Sequence, residues 1–68
     1  MKTKNTRHRI SDEKGRFLAY VYNVANPVNL DPFRKMGEEL AAADVADMTI
    51  KEGQHRTEIR YTMRHPIA

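Results

Sequence analysis

Residues 16–24 read RFLAYVYNV and form the longest apolar run of the chain. The run contains two valines and three aromatic rings, side chains that pack well on the pleated surface of a strand. Gly15 precedes it and Asn26-Pro27 follows it, so residues that interrupt strands stand at both ends. The run therefore predicts a central strand against which the other elements pack.

Both faces of this strand are apolar. Successive side chains of a strand point to opposite faces, so the odd-numbered residues share one face and the even-numbered residues share the other. A buried tyrosine hydroxyl needs a hydrogen-bond partner, and for that reason we expect Tyr20 and Tyr22 on a face left open to solvent. Phe17 and Val21 would then lie beneath a helix.

Three further segments have the pattern of strands. Residues 7–11 predict a short strand, joined to the central run by a turn in which Gly15 takes a positive φ. Residues 46–51 and 56–64 alternate apolar and polar side chains around a glycine turn, which predicts a hairpin. Pro66 cannot donate a backbone hydrogen bond and is expected to stop the last strand.

A helix is predicted between these strand segments. Asp31 has the character of an N-cap, and Pro32 follows at the first helical position, where its missing N–H costs nothing. The helix should end near Asp44, because an acidic residue there would fall back on the apolar side. Apolar residues recur at helical spacing and form one stripe: Phe33, Met36, Gly37 and Leu40.

The sequence thus predicts an α+β fold with the order β-β-α-β-β. A small antiparallel sheet of three to four strands would carry one helix on one face, with the last strand beside the central one and residues 46–51 at an edge. Residues 7–66 would form a single domain behind a flexible basic arm, residues 1–6. The predicted core is Phe17, Val21, Phe33, Met36, Leu40, Met48, Ile50, Ile59, Tyr61 and Met63.

Composition excludes several classes of protein. The 68 residues carry a net charge of +3 and contain no cysteine, which rules out disulfides and thiolate chemistry. No apolar run reaches the roughly 18 residues that a membrane span needs, and no signal peptide is evident. We expect a cytoplasmic protein without contact with a membrane.

The charges are sorted along the chain. Residues 1–16 carry a net charge of +4, residues 31–47 carry −3, and residues 51–68 carry +2. If the acidic helix covers one face, a basic, tyrosine-bearing face remains on the other. The residues expected to bind a partner there are Arg7, Arg9, Tyr20, Tyr22, Arg60 and Arg64.

Two kinds of negatively charged partner fit such a face. Nucleic acid would be held by phosphate contacts and base stacking, although the chain lacks the glycine-aromatic signature of RNA-binding domains. The alternative is an acidic protein surface. The chain would then be an inhibitor or adaptor, of the kind that phages and mobile elements encode, that occupies a surface or an edge strand of its target protein. A third interpretation assigns the face no binding function. It would simply be exposed to solvent, and its arginines would keep the edge of the sheet from aggregating. The core is thin, so a homodimer is a further expectation.

The sequence predicts neither an enzyme nor a cofactor. It has one serine, Ser11, and no phosphate-binding loop. Glu38 and Glu39 are adjacent and would diverge on a helix instead of forming a carboxylate pair. The three histidines, at positions 8, 55 and 65, lack the short spacing of metal ligands.

Overall fold

Five elements follow one another along the chain: β1 (Thr6–Ser11), β2 (Phe17–Ala25), α1 (Asp31–Ala42), β3 (Ala46–Glu52) and β4 (Arg56–Ile67). They come from a computed structural model that describes residues 5–67. All four strands are antiparallel and form one sheet in the order β1-β2-β4-β3. The predicted α+β class, the order of elements and the edge position of β3 are confirmed.

The predicted N-terminal arm lies mostly outside the described residues, which begin at Asn5. Thr6 already belongs to β1 and pairs with Asn23 of β2. The side-chain oxygen of Asn5 accepts a hydrogen bond from the backbone N–H of Ala25 at 3.0 Å. Residues 5 and 6 are therefore held against the sheet.

The prediction that Tyr20 and Tyr22 of β2 face away from the helix is wrong. In the antiparallel register, Tyr20 lies opposite Tyr61 and Tyr22 lies opposite Ile59, so all four residues share one face. α1 covers this face, because the Tyr61 hydroxyl donates a hydrogen bond to the carbonyl oxygen of Phe33 at 2.8 Å. The two tyrosines of β2 therefore lie on the helix side of the sheet, and Val21 points away from it.

A bulge in β2 explains why Phe17 differs from its odd-numbered neighbours. Ser11 pairs with Phe17 and Ile10 pairs with Ala19, which leaves Leu18 as an extra residue on β2. The extra residue shifts the alternation, so Phe17 shares the helix side with Tyr20. Their ring centroids lie 4.5 Å apart.

The ends of α1 are set by backbone hydrogen bonds. Leu30, and not Asp31, occupies the N-cap position, since its carbonyl accepts the first helical bond from Arg34 at 2.9 Å. At the other end Asp44 has a φ of 61°. The N–H of Asp44 bonds to the carbonyl of Ala41 at 3.1 Å, and that of Val45 to Leu40 at 2.9 Å. This pair of bonds is a Schellman motif, which satisfies two terminal carbonyls of the helix.

Pro66 does not stop β4, contrary to expectation, because β4 continues to Ile67. The N–H of Arg64 points toward β3 and bonds to the carbonyl of Val45 at 3.0 Å. The position of Pro66, two residues later, faces the same way, but β3 pairs with β4 only as far as Met63. The proline therefore falls where β4 has no partner on the β3 side to receive a ladder hydrogen bond.

The core lies between β4, β2 and α1. Ile59 and Tyr61 are completely or almost completely buried, and Val24 packs with them. Four residues of the predicted core are buried: Phe17, Ile59 and Tyr61 on the helix side, and Val21 on the opposite face. Most of the remainder is partly buried. Met36 is the exception, with 47% of its surface exposed. The partly buried residues of the core are Tyr22, Val28, Leu30, Phe33, Leu40, Met48, Ile50 and Met63.

α1 approaches β3 most closely at Gly37, which is the buried residue of the helix. A Cβ atom at this position would lie 2.9 Å from the Cβ of Met48 and 2.8 Å from its Sδ. Real Cβ atoms do not come this close to neighbouring atoms, so a side chain here would push the helix away from the sheet. Glycine at position 37 therefore sets the distance between the two layers.

We expect Gly37→Ala to destabilise the fold, although alanine normally favours a helix over glycine by about 0.5–1 kcal/mol. Overpacking at Met48 should lower the free energy of unfolding by about 1–3 kcal/mol in chemical denaturation. In a Met48→Ala background the loss should shrink without vanishing, because the Cβ of residue 48 remains. Lys35→Ala, at an exposed position of the helix, is the control. A more stable Gly37→Ala variant would contradict this packing.

Candidate functional site

An apolar cleft lies on the helix side of the sheet. α1 lies closest to the edge strand β3, and Phe33 of the helix contacts Tyr61 of β4 and Tyr22 of β2. A space remains between the helix and the part of β2 around Tyr20. The cleft between them has a volume of about 300 Å³. Its lining consists of side chains from the helix, the three-residue connection after it, and strands β2 and β4: Phe17, Tyr20, Tyr22, Met36, Leu40, Val45, Tyr61 and Met63.

Two arginines of β1 stand at the border of this cleft. The guanidinium carbon of Arg7 lies 5.2 Å from the ring centroid of Tyr20, and that of Arg9 lies 4.9 Å from the ring centroid of Phe17. Both distances are in the range of cation–π attraction. Both arginines are exposed, and within residues 5–67 neither forms a salt bridge. The rings hold the positive charge at a defined place beside the apolar lining.

The aromatic rings of the cleft also contact one another. Tyr22 meets Phe33 with ring centroids 5.5 Å apart, and it meets Tyr61 at 5.8 Å with the two planes almost perpendicular. Burial raises the pKa of the Tyr61 hydroxyl above its usual value, and the neighbouring Tyr22 adds to the increase. Tyr61 is therefore neutral at physiological pH and acts as a hydrogen-bond donor to the helix.

The six residues predicted to form one binding face are divided between two faces. Arg7 and Arg9 lie opposite Tyr22 and Tyr20 in the register, so these four residues meet on the helix side. Arg60 lies opposite Val21, which points to the other side of the sheet. Arg64, four residues after Arg60 on β4, also points to that side.

The arginines on the face away from the helix are associated with carboxylates. Arg64 donates to Asp47 on β3 at 2.6 and 3.0 Å and to Asp44 at 2.5 Å. Arg60 has Glu58 of its own strand at 3.8 Å. The register places Lys51 and His8 on this face as well. The face therefore carries both signs of charge and does not form the basic surface that the sequence indicated.

The pKa of Asp47 is lowered, chiefly by its side-chain hydrogen bonds to Arg64, and the same bonds raise the pKa of Arg64. A carboxyl group whose pKa is lowered on folding stabilises the fold above its ordinary pKa, here 3.8. That contribution is lost as the pH falls from this value through the lower pKa of the folded state.

We expect NMR titration of the Asp47 carboxyl group to show a midpoint below 3.8 in the native protein. Arg64→Gln should move the midpoint back toward that value, because the charged donor is lost. Arg60→Gln, on the same strand and face, is the control and should leave the midpoint unchanged. An unchanged midpoint in Arg64→Gln would show that the contact between Arg64 and Asp47 does not persist in solution.

Sequence reasoning did not identify the apolar part of the cleft. Met36, Leu40 and Met63 were expected in the core, and Val45 was given no role. The signal that could have found the cleft is the width of the helix stripe, which carries more apolar surface than one side of a short helix can bury. Met36 and Val45 remain 47% and 37% exposed.

A second concavity of about 430 Å³ lies at the turn between β1 and β2. Asp12 organises this turn, since its carboxylate accepts hydrogen bonds from the backbone N–H groups of Lys14 and Arg16 and from the Arg16 side chain. The bonds from Arg16 are the main cause of the lowered pKa of Asp12. Gly15 has the predicted positive φ, 80°. These groups satisfy one another and form a tight turn.

Residues 5–67 contain neither a cluster of metal ligands nor a helix suited to span a membrane. Among residues 5–67 no group of three or more potential ligands is arranged to hold a metal ion. The helix in this part of the chain is too short and too polar to cross a membrane. Comparisons with protein-family models, with curated proteins and with solved structures gave no significant match.

Proposed function

We propose that this chain is a small, non-enzymatic binding protein that engages an acidic protein partner through the cleft beside α1. The single observation that carries the proposal is the juxtaposition of an apolar cleft with Arg7 and Arg9. An apolar anchor side chain of the partner would enter the cleft, and carboxylates beside that anchor would meet the two arginines.

The lining of the cleft suits a protein side chain. Met36 and Met63 bring flexible, polarisable thioethers, which adapt to differently shaped apolar groups. A volume of about 300 Å³ is small for a complete ligand but is sufficient for one large side chain. Aromatic residues and arginine are also the residue types that contribute most to the energy of protein interfaces.

Base stacking is less well supported, because the chain itself occupies the ring faces. The Arg7 guanidinium lies over Tyr20, which also contacts Phe17. Tyr22 has Phe33 and Tyr61 against it. A nucleobase would have to displace these contacts before it could stack. Nucleic acid remains the second candidate, favoured by the net charge of +3 and by the two arginines.

Charge complementarity is the reason for an acidic partner. A guanidinium that rests on an aromatic ring keeps its N–H groups available at the edge, where a carboxylate can accept two of them. The contacts with the rings restrict both arginines in part, which reduces the side-chain entropy lost on binding. The expected homodimer stays a prediction, and an acidic surface on a second copy would be one form of this partner.

The test is affinity capture from a lysate of the cell that encodes the protein, with and without nuclease. We expect a partner that survives nuclease with the native protein and is lost with Met36→Glu. Met36 is about half exposed, so this change should disturb binding more than folding. Loss of an apolar hot spot costs at least about 2 kcal/mol, or about thirtyfold in affinity.

The control is Gln54→Glu, which makes the same change of charge at an exposed position of the turn between β3 and β4. It should bind like the native protein. Capture that disappears with nuclease, together with tight binding of a short DNA single strand at physiological salt, would replace the protein partner by nucleic acid. A captured protein that binds Met36→Glu as strongly as the native chain would overturn the cleft as the site.

A further inference from the structure

β1 is an edge strand with an unusual distribution of charge. Among residues 5–67 its only neighbour is β2, so alternate backbone N–H and C=O groups along its other side have no strand of this part of the chain to pair with. The strand reads TRHRIS and contains two arginines and a histidine with no acidic residue. All of its residues except Ile10 are exposed. Such an edge can accept another strand if the charge of that strand is compatible.

A second copy of β1 is a poor match for this edge. If two β1 strands paired antiparallel about His8, Arg7 of one copy would lie directly opposite Arg9 of the other. Like charges at directly opposite positions destabilise a pair of strands. The arginines therefore act against self-pairing, which is the usual purpose of charge on an edge strand.

We propose that the edge of β1 receives an extended acidic segment of the protein partner, which adds a fifth strand to the sheet. This inference rests on the proposed function and specifies the chemistry of the partner. The backbone of the segment would pair with β1, and carboxylates at alternate positions would lie opposite Arg7 and Arg9. Affinity would come from backbone hydrogen bonds and specificity from the side chains, as in other cases of strand addition.

The alternation of carboxylates follows from the register. Arg7 and Arg9 lie on the helix side of the sheet, together with Tyr22 and Tyr20 of the neighbouring strand. Residues of an added strand that lie directly opposite the arginines must point to the same side, so they are separated by one residue. A segment with only two, adjacent carboxylates would direct one of them to the other face, where it would lie opposite Thr6, His8 or Ile10.

The other edge of the sheet is less suitable. β3 carries both signs of charge, with Asp47, Lys51 and Glu52 along its length. Asp47 is already held by Arg64. Ala46, at the start of β3, is completely buried. Charge complementarity with an acidic strand therefore distinguishes β1 from β3.

The experiment uses short blocked peptides and the isotope-labelled native protein. The alternating peptide carries two glutamates separated by one threonine in a threonine-rich segment. The block peptide has the same composition with the two glutamates adjacent, so that only one of them can lie opposite Arg7 or Arg9. The third peptide has lysine in place of both glutamates. We expect the alternating acidic peptide to bind at least about tenfold more tightly than the other two, which is the effect of one charge-assisted hydrogen bond. Outward-facing amides of β1 should become protected from hydrogen exchange when it binds.

A charge exchange tests the assignment of the arginines. The double variant Arg7→Glu/Arg9→Glu should lose the acidic peptide and bind the alternating lysine peptide instead. The matched control, Arg34→Glu/Lys35→Glu, changes two exposed residues of α1 by the same charge and should keep the native preference. The melting curve of the double variant shows whether it is destabilised. If it is, Arg7→Gln/Arg9→Gln is used instead, and we expect that variant to lose binding of the acidic peptide.

Three results would overturn strand addition. They are equal binding of the alternating and block peptides, protection elsewhere than at β1, and protection of the β1 amides in the free protein at concentrations where it dimerises. If capture of a partner still depends on Met36 but the acidic peptide does not bind β1, the cleft remains supported and only strand addition is contradicted. If the peptides bind as expected but Met36→Glu has no effect on capture, strand addition at β1 is supported and the cleft is contradicted as the binding site.

Discussion

One short helix must cover one face of a four-stranded sheet, and it is too narrow to do so. α1 has 12 residues and is about 10 Å wide with its side chains, whereas the outer strands of such a sheet are about 14 Å apart before their side chains are counted. The helix lies closest to β3, where Gly37 allows the close approach, and the hydroxyl of Tyr61 anchors it to β4. A part of β2 around Tyr20 consequently borders an open space on the same face. The cleft is the space that results.

The uncovered surface is stabilised by its own aromatic contacts. Phe17, Tyr20 and Tyr22 form a chain of rings along β2, with successive centroids 4.5 and 6.5 Å apart. The chain continues from Tyr22 to Phe33 of the helix and to Tyr61 of β4. The rings partly bury one another, and the faces of two of them contact the guanidinium groups of Arg7 and Arg9. A partner would thus meet a surface that is already ordered, which reduces the entropy lost on binding.

The two faces of the sheet treat arginine differently. On the helix side the neighbours of Arg7 and Arg9 are rings, which attract the cation but do not neutralise it. On the opposite side Arg64 has two aspartates within hydrogen-bonding distance, and its charge is compensated locally. Whether the charge of an arginine is neutralised within this protein therefore depends on its cross-strand neighbours. The position of the arginine in the sequence does not by itself show which neighbours it has.

The sequence alone determined the α+β class and the order of the elements, because alternation, turn residues and helical spacing are local properties of the chain. It also predicted the edge position of β3 from the short apolar face of residues 46–51. The sequence also predicted that four residues share one face of the sheet, and the structure places them on one face: Arg7, Arg9, Tyr20 and Tyr22. Only the tertiary structure decided which face of β2 meets the helix. Both faces are apolar, and the choice depends on the register with β4, where a shift of one residue exchanges the two faces. The bulge at Leu18, the separation of Arg60 and Arg64 from the tyrosines, and the cleft itself all follow from long-range pairing, which no local pattern in the sequence encodes.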